Sequence, residues 1–176
     1  VCSSDLKVVV FRPHLLPKVA ICDAELTVGL PAHITAATGV DAMTHALEAY
    51  VAKGSHPFAD TFALSALARC GAYLERAVRN GADILARHEM MLAAALGATS
   101  FQKGLGACHA LAHPLGSVAD LHHGLANAIM LPHVVRFNME TVPERYAVAG
   151  QALGLPREGS IARSEEHTSE LQSHSD

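Results

Sequence analysis

Alanine, leucine and methionine recur at intervals of three and four residues over most of the chain after Pro31. This period places apolar side chains on one face of a helix. The Ser55–Pro57 turn or Asp60 can begin the second helix, and Asp83 can cap the third. The pattern predicts helices over Asp41–Lys53, Phe58–Asn80, Ile84–Gln102, Ala107–Ala119, Gly124–Met139 and Pro143–Leu153.

Two short β-branched runs precede the helices, Lys7–Phe11 and Lys18–Asp23, and both are predicted to be strands. Two strands cannot form a stable sheet alone. We therefore expect residues 7–30 to be the edge of a sheet that belongs to a domain whose remainder lies upstream. Residues 31–162 are predicted to form a helical domain, so the fold class is mainly α.

Both ends of the chain differ in character from the rest. The chain opens with Val-Cys-Ser-Ser-Asp-Leu and closes with a polar stretch from Arg163 that has no periodicity. The DNA string GTGTGCTCTTCCGATCT encodes the first, and its reverse complement encodes Arg-Ser-Glu-Glu-His in another frame. Residues 1–6 and 163–176 are therefore predicted to be translated sequencing-adapter DNA, the second segment disordered, and the domain between them to be truncated at both boundaries.

Composition excludes several classes of protein. Half of the 176 residues are hydrophobic, which is enough for a compact core. The most apolar stretch, Met90–Ala98, is about half as long as a membrane span, and no signal-peptide pattern opens the chain. Four cysteines without a C-x-x-C pair fit a reducing, cytoplasmic compartment. Outside the two predicted artefacts, acids and bases balance at 12 each, so no net charge attracts nucleic acid or an anionic membrane.

Several residues of metal-ligating type stand at helical spacing. Asp41 and His45 are four residues apart, which places them on one face of a helix. His109 and His113 repeat that spacing, and His123 follows. Asp41 together with the imidazoles of His45, His109 and His123 is a ligand set that suits Fe²⁺ or Zn²⁺. A single Asp-x-x-x-His pair is more often a surface hydrogen bond, so spacing alone leaves a metal site and structural histidines as open alternatives.

Four motifs, in order, resemble the iron-containing (group III) alcohol dehydrogenases: Leu15–Asp23, Ala36–Tyr50, Gly104–Gly116 and His123–Pro132. The resemblance covers nearly all of residues 7–162. It implies an enzyme with an N-terminal nucleotide-binding domain and an all-helical C-terminal domain that carries the metal. This chain would hold the last strands of the first domain and the opening helices of the second.

The resemblance also implies ligands and roles. The matching motif positions are Asp41, His45, His109 and His123 for the metal, with His113 as a non-ligating histidine beside the nicotinamide. His113 would relay a proton or orient the nicotinamide ribose. The implied reaction interconverts an alcohol with an aldehyde or ketone, using NAD or NADP and Fe²⁺ or Zn²⁺. The implied partner is this small-molecule substrate, and a homo-oligomer stays open.

Two other functions stay open beside this one. The first is a metal-assisted lyase or synthase on the same fold, of the dehydroquinate synthase kind, and the second is a non-enzymatic helical binding module. The chain also lacks the family's phosphate-binding glycine loop, because Gly104-Leu-Gly106 belongs to the metal motif and has no strand–turn–helix context. We therefore expect the isolated chain to bind NAD(P) poorly and to be inactive alone.

The neighbours of the candidate ligands have two interpretations each. Cys108 adjoins a candidate ligand, but successive helical residues point about 100° apart, which favours packing. Glu48 can bond a ligand imidazole or lie on a surface. Phe101 can line a substrate pocket or belong to the core. His122 competes with His123 for ligation, and only the family motif selects His123.

Overall fold

The computed structural model describes residues 13–15 and 17–156. The helices predicted from periodicity are confirmed, although the first begins earlier, at Ala32. Short 3₁₀ turns lie at Pro13–Leu15, Ala24–Thr27 and Phe101–Lys103. The described residues form six α-helices: α1 (Ala32–Val51), α2 (Pro57–Arg79), α3 (Ile84–Ser100), α4 (Ala107–Ala119), α5 (His123–Met139) and α6 (Pro143–Ala152).

The strand predicted at Lys18–Asp23 is wrong, because the structure has irregular backbone there, followed by a 3₁₀ turn that begins at Ala24. Val19 and Ile21 are 75% and 86% exposed. A strand needs a neighbouring strand for its backbone hydrogen bonds, and the described residues contain none. The mainly α class is confirmed. Residues 7–11 and the two predicted adapter segments lie outside the described residues, so the adapter origin and the domain boundaries stay predictions.

Side chains at the helix starts explain where α2 and α3 begin. The Nδ1 atom of His56 accepts a hydrogen bond from the backbone N–H of Ala59 at 3.1 Å. Asp83 Oδ1 accepts from the N–H of Ala86 at 3.0 Å. Each bond satisfies a backbone donor that has no partner inside its helix. The predicted Asp83 cap is therefore confirmed, and α2 begins inside the predicted turn, at Pro57.

The central helix is α1, which packs against α2, α3 and α5. A helix with neighbours on several sides buries residues around most of its circumference. Small alanine side chains in the core let these helices approach closely. The core cluster contains Ala46, Leu47, Tyr50, Ala63, Ala66, Leu67, Cys108, Leu131, Val134, Tyr146 and Ala149. No described helix has the combination of length and apolar character that crossing a membrane requires.

A close backbone contact fixes the start of α5 against α1. A Cβ atom at Gly124 would lie 2.2 Å from the carbonyl oxygen of Ala37, so only glycine permits this approach. The chain reaches α5 through a short turn in which Asp120, with φ of 52°, adopts the left-handed conformation that aspartate tolerates. His123, the first residue of α5, is thereby placed beside the middle of α1.

A partly buried ionic network joins the end of α1 to three other elements. The carbonyl oxygen of Tyr50 accepts hydrogen bonds from Lys103 Nζ at 3.2 Å and Arg145 Nε at 2.9 Å. Asp60 pairs with both cations, at 2.7 Å from Lys103 and 2.8 Å from Arg145. Burial alone would raise the pKa of Asp60, but its hydrogen bonds to these two cations lower it below 3.8.

Asp60→Asn is expected to lower the free energy of unfolding by about 1–3 kcal/mol at neutral pH, because Lys103 and Arg145 lose their charged acceptor. The Asp60 pKa is lower in the folded chain than in the unfolded chain. Its carboxylate therefore stabilises the fold fully above the ordinary pKa of 3.8 and loses that effect as pH falls through the folded value. Urea unfolding at pH 7 and below pH 3.8 measures the difference between the two proteins, which should shrink in acid.

The matched control is Glu75→Gln. Glu75 pairs with Arg79 one turn away on the exposed face of α2. Such exposed pairs contribute about 0–1 kcal/mol, so this variant should unfold almost like the wild type at both pH values. An Asp60→Asn difference that is the same in acid as at pH 7 would contradict the ionic explanation.

Candidate metal centre

Three predicted ligands meet where α1, α4 and α5 come together. Asp41 Oδ1 lies 3.4 Å from Nε2 of His109 and 3.5 Å from Nε2 of His123. One potential ligand atom from each residue lies within 4.8 Å of the other two. Metal–nitrogen and metal–oxygen bonds of about 2.0–2.2 Å would let one divalent ion contact all three. The geometry therefore supports this part of the predicted ligand set.

His45 lies beside this group. Its Nε2 atom is 3.9 Å from Asp41 Oδ1, and its ring stacks on the ring of His109 with centroids 4.6 Å apart and planes 13° apart. The Phe101 ring lies 4.9 Å away on a tilted plane. The i, i+4 spacing places His45 and Asp41 on one face of α1, as expected. Ligation by His45 stays a prediction, because the tight group contains Asp41, His109 and His123.

His113 lies at the solvent-exposed edge of the same cluster. Its ring stacks on that of His123 with centroids 5.1 Å apart, and its centroid is 6.3 Å from that of His109. α4 continues through Pro114, so His113 stays one turn beyond His109 on the same side of the helix. His122 is exposed while His123 faces Asp41. The structure thus places His123, and not His122, beside Asp41, and ligation by His123 stays a prediction.

Glu48 contacts His109 at the Nδ1 edge of its ring. Only 3% of the Glu48 surface is exposed. Its Oε2 atom lies 2.7 Å from His109 Nδ1, and its Oε1 atom accepts from the backbone N–H of Cys108 at 2.7 Å. α4 has no side-chain cap from its own Gly106, so Glu48 supplies the acceptor from another helix. A Cβ at Gly106 would lie 2.6 Å from Glu48 Oε1. Of the two interpretations of Glu48, the structure supports the imidazole partner.

The charge on Glu48 decides which nitrogen of His109 carries the hydrogen. Burial would raise the pKa of Glu48, but hydrogen bonds from His109 and from the N–H groups of Gly106 and Cys108 lower it. An ionised carboxylate only accepts, so His109 Nδ1 carries the hydrogen. His109 Nε2 is then directed at Asp41. This atom is buried and has no hydrogen-bond partner among the described residues.

The cluster favours a positive charge at its centre. Burial would lower the pKa of His109, but the carboxylates of Asp41 and Glu48 raise it to about 9. Burial would likewise raise the pKa of Asp41, but the surrounding hydrogen-bond donors and histidines lower it. A carboxylate with imidazoles, one of which has an unpartnered buried nitrogen, is a donor set that fits a divalent ion such as Fe²⁺ or Zn²⁺.

Cys108 packs in the core beside the cluster and is fully buried. Its thiol lies 3.4 Å from the carbonyl oxygen of Asn127. Burial raises the pKa of this thiol to about 12, so it is protonated at neutral pH. Cys108 belongs to the core cluster and lies outside the tight group of Asp41, His109 and His123. The predicted packing role is therefore confirmed.

Asn127 is the residue that sequence reasoning missed. It is fully buried, and its Nδ2 atom donates to Asp41 Oδ1 at 2.6 Å. The same nitrogen lies 3.2 Å from Nε2 of His123. Asn127 is four residues after His123 on α5, so the i, i+4 spacing that relates Asp41 to His45 also relates these two residues and is a signal for Asn127 in the sequence.

The fold and the cluster together define an all-helical domain that gathers a carboxylate and imidazoles from three helices. Residues 35–174 match the model of the Fe-containing alcohol dehydrogenase family, C-terminal. The chain belongs to the iron-containing alcohol dehydrogenase family, and its helices correspond to the family's C-terminal domain. The resemblance seen in the sequence motifs is confirmed.

Named relatives agree with this assignment. The 4-hydroxybutyrate dehydrogenase of Cupriavidus necator is 48% identical over 159 residues, which are 85% of this chain and 42% of that protein. The NAD-dependent methanol dehydrogenase of Bacillus methanolicus is 44% identical over 85% of this chain and 39% of its own length. The chain therefore spans about two fifths of these relatives.

Solved structures share the fold. The crystal structure of a 1,3-propanediol oxidoreductase matches with a TM-score of 0.76 and 42% identity, over 78% of this chain and 36% of that one. An iron-containing alcohol dehydrogenase from Thermotoga maritima matches with a TM-score of 0.70 and 29% identity, over 77% and 37% of the two chains. The helical arrangement is thus that of known members of the family.

Glu48→Gln is expected to weaken divalent-metal binding by about 10- to 100-fold, because His109 loses the ionised acceptor that orients its ring. Titration of the chain with Zn²⁺ against a competing chelator measures the affinity, and circular dichroism checks that α4 still forms. Glu89→Gln is the control, since Glu89 pairs with Arg69 between α2 and α3 at 3.0 Å. Wild-type affinity in Glu48→Gln would show that Glu48 does not position a ligand.

Proposed function

We propose that this chain carries the metal-binding part of an NAD(P)-linked oxidoreductase that interconverts an alcohol with an aldehyde or ketone. The observation that carries the proposal is the convergence of Asp41, His109 and His123 on a buried imidazole nitrogen that makes no hydrogen bond to the described residues, in a member of this family. His45 completes the proposed ligand set, and the proposed ion is Fe²⁺ or Zn²⁺.

The names of the relatives support the reaction class. They include a 4-hydroxybutyrate dehydrogenase, an NAD-dependent methanol dehydrogenase and the 1,3-propanediol dehydrogenase of Klebsiella pneumoniae. All three names describe oxidation of a small molecule that carries a hydroxyl group. We therefore favour a small alcohol or carbonyl compound as substrate, and NAD as cofactor, over the lyase and binding-module alternatives.

The candidate centre has a buried floor and an open rim. His109 and Glu48 form the floor, with side chains 3% and 4% exposed. Asp41, His123 and His113 lie toward solvent. When bound, a divalent ion supplies Lewis-acid polarisation of an alcohol or carbonyl oxygen. Because the floor is closed by protein, the substrate and nicotinamide would approach across the rim.

His113 is proposed to act at that rim, beside the nicotinamide and the substrate. Its ring is exposed and stacks on His123, one helical turn from His109. An imidazole nitrogen in this position can take the hydroxyl proton of an alcohol and pass it to solvent, because imidazole titrates near neutral pH. The alternative role, orientation of the nicotinamide ribose, requires the same location.

Metal content tests the ligand assignment. Protein purified without oxygen should contain about one iron or zinc ion per chain by elemental analysis, as expected for a single site of this donor type. His109→Ala and His123→Ala should each reduce that content strongly. His122→Ala is the matched control, because His122 is exposed and adjoins His123. Unchanged metal content in both ligand variants would refute the assignment.

Nicotinamide absorbance tests the reaction. The assay uses the protein encoded by the reading frame of the source DNA, which resequencing determines. The same resequencing tests the predicted adapter ends. The protein encoded there should reduce NAD or NADP when given a small alcohol, lose that activity with a chelator and regain it with Fe²⁺ or Zn²⁺. His113→Ala should slow turnover while metal content is retained. No absorbance change with any alcohol or aldehyde, in a metal-loaded protein, would overturn the proposed reaction.

A further inference from the structure

We propose that Asn127 holds Asp41 and His123 in position by bridging them, and that its contact with His123 opens when a divalent cation binds. The Asn127 bridge is the pair of contacts from Asn127 Nδ2 to Asp41 Oδ1 and to His123 Nε2. This inference rests on the proposed function, because it takes the cluster to be a metal site.

Chemistry fixes the orientation of the Asn127 amide. The side-chain atom 2.6 Å from Asp41 Oδ1 must be a donor, because a carboxylate only accepts. It is therefore the nitrogen, which carries two hydrogens. One points at Asp41, and the other is available to His123 Nε2 at 3.2 Å. The amide nitrogen thus contacts both atoms, which are themselves 3.5 Å apart.

The packing around Asn127 keeps the amide in that position. The side chain is fully buried, on the first turns of α5. Its Oδ1 atom lies 3.5 Å from the thiol of Cys108 on α4, and its nitrogen bonds Asp41 on α1. The amide is therefore contacted at both ends by different helices. It joins α1, α4 and α5 at the point where the ligands converge.

The two contacts of the bridge respond differently to a cation. The Nε2 atom of His123 has one lone pair, so it cannot accept an N–H and bind a metal at the same time. The Asp41 carboxylate has several lone pairs, so it can keep the Asn127 bond while it ligates. Metal binding would thus replace one hydrogen bond and leave the other. The ligand atoms need to move little, because they already lie within 4.8 Å of one another.

Nuclear magnetic resonance of the wild-type chain tests the bridge directly. The two Nδ2 hydrogens of Asn127 give separate signals, and Zn²⁺ is diamagnetic. Titration with Zn²⁺ should shift the hydrogen that faces His123 and speed its exchange with solvent, while the hydrogen that faces Asp41 stays protected. Two unchanged Asn127 signals at saturating Zn²⁺ would overturn the proposal.

Asn127→Asp gives a second, independent measurement. The substitution keeps the shape but replaces the donor with an acceptor, so two carboxylates would meet in the metal-free cluster. The melting temperature of the metal-free chain should fall, while Zn²⁺ binding tightens by about 10-fold, a size typical of groups beside metal ligands. The melting temperatures with and without Zn²⁺ should therefore lie further apart than in the wild type. Equal losses in both states, with unchanged affinity, would assign Asn127 to packing alone.

Thr44→Val is the control for buried polar groups near the cluster. Thr44 is fully buried on α1, and its hydroxyl donates only to the carbonyl of Val40 in the same helix, at 2.7 Å. This variant should keep the wild-type affinity for Zn²⁺. A wild-type chain that binds no Zn²⁺ would overturn the proposed metal site and the bridge together. Zn²⁺ binding without a response at Asn127 would overturn the bridge alone.

Discussion

The buried carboxylate of Glu48 is the interaction on which the fold and the centre both depend. A buried charge is costly unless it is paired and hydrogen-bonded. Here the carboxylate meets the first backbone N–H groups of α4 and the ring of His109. Helix N-termini favour negative charge, so α4 starts where Glu48 can reach it. One side chain therefore sets the position of a helix and the direction of a candidate ligand.

α1 makes polar contacts with several other elements. Asp41 bonds Asn127 of α5, Glu48 bonds the start of α4, and the carbonyl of Tyr50 bonds Lys103 and Arg145. Each contact joins α1 to a different part of the chain. α1 also packs against α2 and α3. The polar groups of a helix packed on several sides need hydrogen-bond partners. Asp41, Glu48 and the Tyr50 carbonyl each have one.

The parts of the structure that depend on local patterning were predictable. Helical periodicity located all the described helices, and the i, i+4 spacing placed Asp41 and His45 on one face. The strand at Lys18–Asp23 was wrong, because strand formation depends on a partner that a local pattern cannot supply. The first turns of α1 were missed because Thr35, Thr38 and Gly39 interrupt its apolar repeat.

The supporting contacts of the centre were harder to predict, because they join residues far apart in the chain. Glu48 and His109 are 61 positions apart, and Asp41 and Asn127 are 86 apart. Whether such side chains meet depends on how α1, α4 and α5 pack. The sequence pattern therefore leaves two roles open for Glu48 and does not single out Asn127. The candidate ligands can be proposed from the sequence, because their residue types and motif order are informative without any packing.

The division between a buried floor and an open rim has a consequence for how this centre can diversify. A substitution at Glu48, Cys108 or Asn127 alters helix packing and the geometry of the candidate ligands together. Such a substitution therefore changes the stability of the fold as well as the chemistry of the centre. A substitution at His113 touches solvent on one side and leaves the packed helices in place. Variation in what the centre accepts can therefore accumulate at the rim, while the buried floor has almost no freedom to change.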